Sequence, residues 1–247
     1  HDLPDRHRSL RAVFDSSWQL LNAQQQQALC RLSVFHGPFD RSAATAITGA
    51  SLATLSALVD HSMLHRQDLH IDDQTAGKYE LLDTLRQYAA EKLETNDDEA
   101  GRIREQHAAF YLQFLDQQLE VLKGSNQHKA VAGISQNIRE IRSAWRWSIQ
   151  HQDISGLSRA LETLGLFYYM RSWFAEGADL FGLAAHELEP GRNEPEAGVV
   201  WARLRARQGW FTFLLGRQQD GLNQLLESVE LLRPVGNRID LAYSLSF

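Results

Sequence analysis

The sequence predicts a mainly α-helical chain in two parts: a cluster of short helices closed by a small β-hairpin, then an array of paired helices. Three observations carry this. Over roughly the first third, apolar residues recur at three- and four-residue spacing in short runs, each cut by Gly, Pro, Asn or a capping Asp or Ser. Beyond residue 96 the same spacing continues almost unbroken. Late in the chain the pattern repeats itself: Gly165 and Gly209 stand 44 residues apart, as do Gly177 and Gly221, Phe181 and Leu225, Ala184 and Ser228, and Pro190 and Pro234.

In order, residues 8–21 place Leu10, Val13, Phe14, Trp18 and Leu21 on one helical face, and Asn22 ends that helix. Residues 24–35 form a second helix with Ala28, Leu29, Leu32 and Phe35 inward and a run of four Gln as a solvated face. Gly37 and Pro38 break it. Asp40 caps a third helix that Gly49 stops, and Ser51 caps a fourth with Leu52, Leu55, Leu58 and Val59 inward. A strand over 63–66, a polar wing over 68–77 and a strand over 79–82 close the unit, and Asp83 or Thr84 caps the helix that carries Leu85, Tyr88, Ala89 and Leu93. Several short helices followed by a hairpin is the order expected of a winged helix. The expected domains are therefore a winged helix over 1–95, connecting helices over 96–152, and repeats over 153–247.

Composition limits what such a chain does. With 43% hydrophobic and 23% charged residues it reads as globular, and 247 residues suffice for two modest cores. No stretch approaches the roughly 20 apolar residues a membrane span needs. The single cysteine, Cys30, admits no internal disulfide and fits a reducing cytoplasm. The net charge of −6 is spread evenly, with 9 basic against 12 acidic residues up to residue 95 and 16 against 19 beyond, so neither part reads as a phosphate-binding surface. The chain opens on His1 rather than Met, and its last amphipathic run, 237–247, stops before any helix-ending signal. Both ends read as cuts in a longer polypeptide.

Four blocks, RHRSLRAVFDSSWQLL, LSVFHGPFD, LSALVDHSML and YELLDTLRQYA, stand in an order and spacing that resembles the winged-helix region of the STAND (NB-ARC, apoptotic-ATPase-like) signalling ATPases and transcription activators of bacteria. The resemblance covers about residues 6 to 95, and NIREIRSAWRWSIQ resembles the helix that leads into their repeats. It implies a nucleotide, ATP or ADP, on a neighbouring domain, with the winged helix packed against that domain. This chain itself lacks the phosphate-cradling GxxxxGK[ST]: its Gly77-Lys78 pair is followed by Tyr79 and preceded by Asp72 where the first Gly belongs. Where many relatives carry Met-His-Asp against the diphosphate, this chain has Leu81, Leu82 and Asp83. Asp83 is thus a weak nucleotide-sensing candidate and reads first as a helix cap. No cofactor is expected within the chain, and no catalytic residue.

The 44-residue repeat follows tetratricopeptide logic, in which a small residue late in the first helix admits the second and a large apolar residue one turn on fills the gap. The usual period is about 34, so the surplus is assigned to a loop over 189–196. The second copy matches less well, with Arg205, Gln208 and Thr212 in place of Leu161, Leu164 and Tyr168. The family register points Arg159, Glu162, Leu166, Tyr169 and Met170, then Arg203, Ala206, Trp210, Phe213 and Leu214, toward a concave surface. Of these, Arg159, Tyr169, Met170, Arg203, Trp210 and Phe213 are the candidate contacts for a protein or small effector, since aromatic and Arg side chains make the commonest anchors. The competing reading packs these aromatics against a further repeat.

Other clusters read as structural. His61, His65 and His70 with Asp60, Asp68, Asp72 and Asp73 fall where helix passes into a solvated wing, so no metal is expected. Cys30, among Leu29 and Leu32, reads as a quiet, largely buried thiol. The helix that would enter a DNA groove, 51–62, has no Lys or Arg and so nothing to release counterions from phosphates. The sequence reads as a non-catalytic regulatory or sensor fragment. A constitutive protein-interaction scaffold is the alternative, with a DNA-binding winged helix and a helical dimerisation tail behind it.

Overall fold

The computed structural model describes residues 5–71 and 74–235; the expected run over 237–247 and the wing's tip, Asp72 and Asp73, lie outside them. The described residues form twelve α-helices and one three-stranded antiparallel sheet, and the chain divides into two compact units. One holds the chain up to Phe110 together with Asn137–Ser143, and the other holds Tyr111–Gln136 and the chain from Ala144 on.

The first unit is a winged helix. It opens with α1 (Asp5–Gln19) and α2 (Ala23–Leu32), continues through β1 (Phe39–Asp40), α3 (Arg41–Thr48) and α4 (Leu52–Asp60), and closes with β2 (His65–Ile71), β3 (Gln74–Glu80) and α5 (Asp83–Leu93). The strand order is β1-β3-β2, with Phe39 opposite Tyr79 and Arg66 opposite Tyr79 on the other side. Its core is Leu29, Leu32, Phe35, Phe39, Leu55, Leu58, Leu85 and Ala89, all nearly inaccessible, with the Phe35 and Phe39 rings stacked 4.0 Å apart. Asp40 and Ser51 cap α3 and α4 through Ala43 N and Thr54 N, and Gly49 closes α3 in the left-handed region at φ 73°. That conformation costs Gly nothing and other residues about 1 kcal/mol or more.

Several local expectations are corrected here. Val13 and Leu52 are exposed, so the inward faces of α1 and α4 are narrower than their apolar content suggests. The Gln run is no passive face: Gln25 completes a capping box with Asn22, and the Gln26 amide donates to the carbonyls of Trp18 and Leu21. The strands reach into the expected wing because cross-strand pairing outweighs the polar composition of 67–78, and β3 ends at Glu80, opposite His65 at the start of β2, instead of Leu82. Asp83 does not cap α5. Leu82 occupies the cap position without a side-chain bond, and Asp83 is the first helical residue, paired with Arg86 at 3.4 Å. One residue further in, a carboxylate still interacts favourably with the positive end of the helix dipole.

A polar contact that the sequence did not disclose ties the first unit together. Residues 137–143 bring Glu140, 1% exposed, onto the turn after α2. Its Oε1 accepts hydrogen bonds from the backbone of His36 (2.8 Å) and Gly37 (2.6 Å), while Oε2 lies 2.7 Å from His107 Nε2. A Cβ on Gly37 would sit 3.3 Å from Arg139 Cδ, a tight contact that the glycine relieves.

The second unit is an array of paired helices. After α6 (Asp97–Lys123) come α7 (Gln127–Gln136) and α8 (Ile138–Gln150). Two hairpins follow: α9 (Ile154–Met170) with α10 (Phe174–Leu188), and α11 (Pro195–Leu214) with α12 (Gln218–Val235). Between them the surplus residues form a 3₁₀ turn, Glu189–Gly191, and a short loop. Asp153 caps α9 through Gly156 N, and Pro195 at the first position of α11 occupies a place where its missing N–H costs nothing. The core runs through Trp145, Leu161, Leu164, Phe181, Leu204 and Phe211, with Phe181 and Phe211 stacked at 5.9 Å.

The glycines act differently in the two hairpins, which corrects the expected pattern. In α11 and α12 they close backbone on backbone: a Cβ on Gly221 would lie 2.7 Å from Gly209 O, and one on Gly209 would lie 2.9 Å from Gly221 O. In the first hairpin the atoms nearest Gly177 all belong to the Phe211 ring, 2.8 Å away, and the nearest to Gly165 are those of Arg207, at 3.3 Å, ahead of Phe181. The second copy, weaker in sequence, therefore has the tighter backbone contact. Its substitutions at Arg205 and Gln208 fall on half-buried positions that hydrogen-bond to each other, Arg205 Nη1 to Gln208 Oε1 at 2.7 Å.

Candidate functional site

The candidate site lies within the second unit, on the faces of α9 and α11 that carry the aromatic residues. Successive turns of α9 set Glu162, Leu166, Tyr169 and Met170 along one side, the spacing that keeps side chains on one helical face. On α11, Arg207 and Trp210 stand one turn apart. Together with Leu122, Lys123 and Gln127 these line a groove of about 430 Å³.

Its walls are apolar and its polar groups few. The Tyr169 and Trp210 ring centroids are 6.4 Å apart, inclined at 34°, and Tyr169 is 49% exposed. Trp210 is backed by Phe213, stacked at 6.1 Å and 10°. Lys123 Nζ meets Glu162 Oε1 at 2.6 Å, both partly exposed, so this pair marks a solvated edge. Arg207 is 3% exposed, and its stem passes over Gly165, where the missing Cβ makes the room.

The structure brings three of the six expected contact residues into one groove, Tyr169, Met170 and Trp210. Phe213 supports Trp210 from behind. Arg159 is exposed away from the groove lining, and Arg203 is turned to α9, donating from Nη1 to Ser158 Oγ at 3.0 Å. Ala206, expected on the concave face, is fully buried. The arginine at this site is Arg207 instead, and Lys123 and Gln127 join from α6 and α7. Arg207 is not among the residues that the register points toward the concave surface, and a buried charge has no periodic signature.

Asp83 is well exposed at the start of α5. The α4 helix carries no basic residue in its length. Cys30 is half-buried, and burial first, then the nearby Glu99 carboxylate, push its thiol up to about 11, so it stays protonated near neutral pH. Asp40 sits below the ordinary carboxylate range: burial opposes ionisation, but the Ala43 N–H, the Ser42 hydroxyl and Lys78 together outweigh it. Among the described residues no group of three His, Cys, Asp or Glu side chains is placed to hold a metal ion, and no single helix is long and apolar enough to cross a membrane.

Residues 21–94 match the family described as the winged helix-turn-helix domain. Proteins of Mycobacterium bovis and Mycobacterium tuberculosis that bear the provisional name HTH-type transcriptional regulator are 30% identical over 248 residues, covering 98% of this chain and 28% of theirs. The chain thus spans less than a third of the length of these relatives. The crystal structure of a STAND protein with a tetratricopeptide repeat sensor from Pyrococcus horikoshii aligns with 99% of this chain and 43% of its own, at 12% identity and a TM-score of 0.30, a level that bears no argument.

Proposed function

We propose that this chain is the non-catalytic regulatory part of a larger transcription regulator or signalling ATPase, its repeat unit receiving a protein or small effector and its winged helix packing on a nucleotide-binding domain. The observation that carries this is the groove of the second unit, where two aromatic side chains, Tyr169 and Trp210, remain accessible around a buried arginine. The relatives' name supports a regulatory role, and so does the winged-helix match over 21–94. ATP or ADP belongs, in this reading, to the neighbouring domain, and Asp83 at the start of α5 is the residue to watch for contact with it. The place of action is the cytoplasm, in keeping with one cysteine and no internal disulfide.

An effector acts here only if it binds one arrangement of the parent protein better than the other, because equal affinity shifts no population. The absence of Lys and Arg from α4 argues against the winged helix as a reader of duplex DNA. Trp210→Ala tests the receiving surface. A loss of less than about 2 kcal/mol is expected in equilibrium unfolding, against about 3 to 5 for a core tryptophan; a core-sized loss would remove the groove from consideration. Robust ATP turnover by this chain, or duplex binding with a steep salt dependence, would overturn the wider assignment.

A further inference from the structure

We infer that the groove of the second unit takes a small organic acid: one carboxylate on an aromatic or branched apolar body, held by Arg207 and by the Tyr169–Trp210 wall. The inference rests on the reading of the repeat unit as the receiving part and names the chemistry it receives.

Size comes first. A volume of about 430 Å³ is at the lower end of small-molecule sites, suited to a molecule of the size of an aryl acetic acid. The wall chemistry is next. Leu122, Leu166, Met170, Tyr169 and Trp210 offer an apolar surface with two aromatic rings, suited to an aromatic or branched apolar body. The charge then selects the head group. Glu162 already answers Lys123 at the edge, at 2.6 Å. Arg207 lies deeper, and its planar guanidinium has five N–H donors, enough to take both oxygens of a carboxylate while keeping contacts it makes within the fold. In a site withdrawn from water such a charge-assisted pair is stronger than at the surface.

Gly165 is the second element of the device. A Cβ there would stand 3.3 Å from Arg207 Cγ and 3.8 Å from its Nε, so the glycine lets the guanidinium lie where it does. The carboxylate preference therefore depends on two residues on two helices, only one of them charged.

The test uses the two methionines of the chain, Met63 in the winged helix and Met170 in the groove, as ¹³C-methyl probes in one spectrum. Indole-3-acetate, phenylacetate and 4-methylvalerate are titrated beside their neutral amides. The expected result is a saturable shift of the Met170 methyl with Met63 unmoved, an acid preferred at least tenfold over its amide, and that preference lost in Arg207→Gln. Should Arg207→Gln fail to fold, Gly165→Ala, which keeps the charge and moves the stem, is expected to weaken the acid at least fivefold and leave the amide unchanged. Equal binding of acid and amide overturns the carboxylate assignment, as does a Met170 methyl that stays still up to about 10 mM of every acid, where even millimolar affinity would register. Tighter binding of an acetylated tripeptide ending in a free Trp carboxylate would assign the groove to a peptide terminus and overturn the small acid. None of these results touches the receiving role itself, which the unfolding of Trp210→Ala decides.

Discussion

The two hairpins of the second unit share a glycine pattern and use it for opposite ends. In α11 and α12, Gly209 and Gly221 let one main chain rest on the other, and the contact is spent entirely on packing. In α9 and α10, Gly165 and Gly177 face side chains of α11, Arg207 and Phe211, so the missing Cβ atoms become space between successive hairpins. A motif read as helix pairing thus does two jobs. One copy shuts an interface, and the other seats an aromatic ring and a buried cation beneath a groove.

This contrast can be broken by adding a single methyl group at each position. Gly221→Ala should have the largest effect: its Cβ would meet Gly209 O at 2.7 Å and Phe213 N at 2.8 Å, and backbone atoms cannot swing aside. A net loss of about 3 kcal/mol in equilibrium urea unfolding is expected, the upper range for overpacking, despite the gain in helix propensity. A loss below about 1 kcal/mol would show that the α11–α12 contact is looser than described. Gly177→Ala should cost less, about 1 to 2 kcal/mol, because the Phe211 ring at 2.8 Å can tilt at the expense of its stacking on Phe181. Gly177→Ala combined with Phe211→Leu sharpens this: the pair should be less destabilised than the sum of the single changes, and strict additivity would mean the two residues do not meet.

A milder check concerns Asp40 in the winged helix, where no glycine contact is involved. Its folded carboxyl lies below the ordinary value, so it contributes stability above that value and loses it as pH falls through the lowered one. Removing the carboxylate with Asp40→Asn should flatten the acid side of the stability profile; an unchanged profile would mean that the bonds to Ala43, Ser42 and Lys78 add nothing.

What the sequence disclosed and what it hid follow from the range of the physics. Caps at Asp40 and Ser51 and the stop at Gly49 are local signals, each satisfied within four residues, and they were legible. The α5 cap failed because Leu82 and Asp83 are positioned by the hairpin before them, a constraint no local rule contains. The repeat spacing located the paired helices, but which atoms fill the space at a glycine depends on a residue some forty positions away, Arg207 for Gly165. Glu140 was invisible for the same reason: its three partners, His36, Gly37 and His107, lie far off in sequence. At the candidate site, aromatic content pointed to Tyr169 and Trp210, while the groove's cation had to be seen in place.

The mildest of these substitutions is also the most decisive. Gly165→Ala places a methyl against the flexible stem of Arg207 at 3.3 Å, so its strain and its gain in helix propensity should nearly cancel. The account predicts equilibrium stability within about 1 kcal/mol of the parent chain. A loss as large as that of Gly221→Ala would contradict it, for Gly165 would then be closing an interface and not opening one.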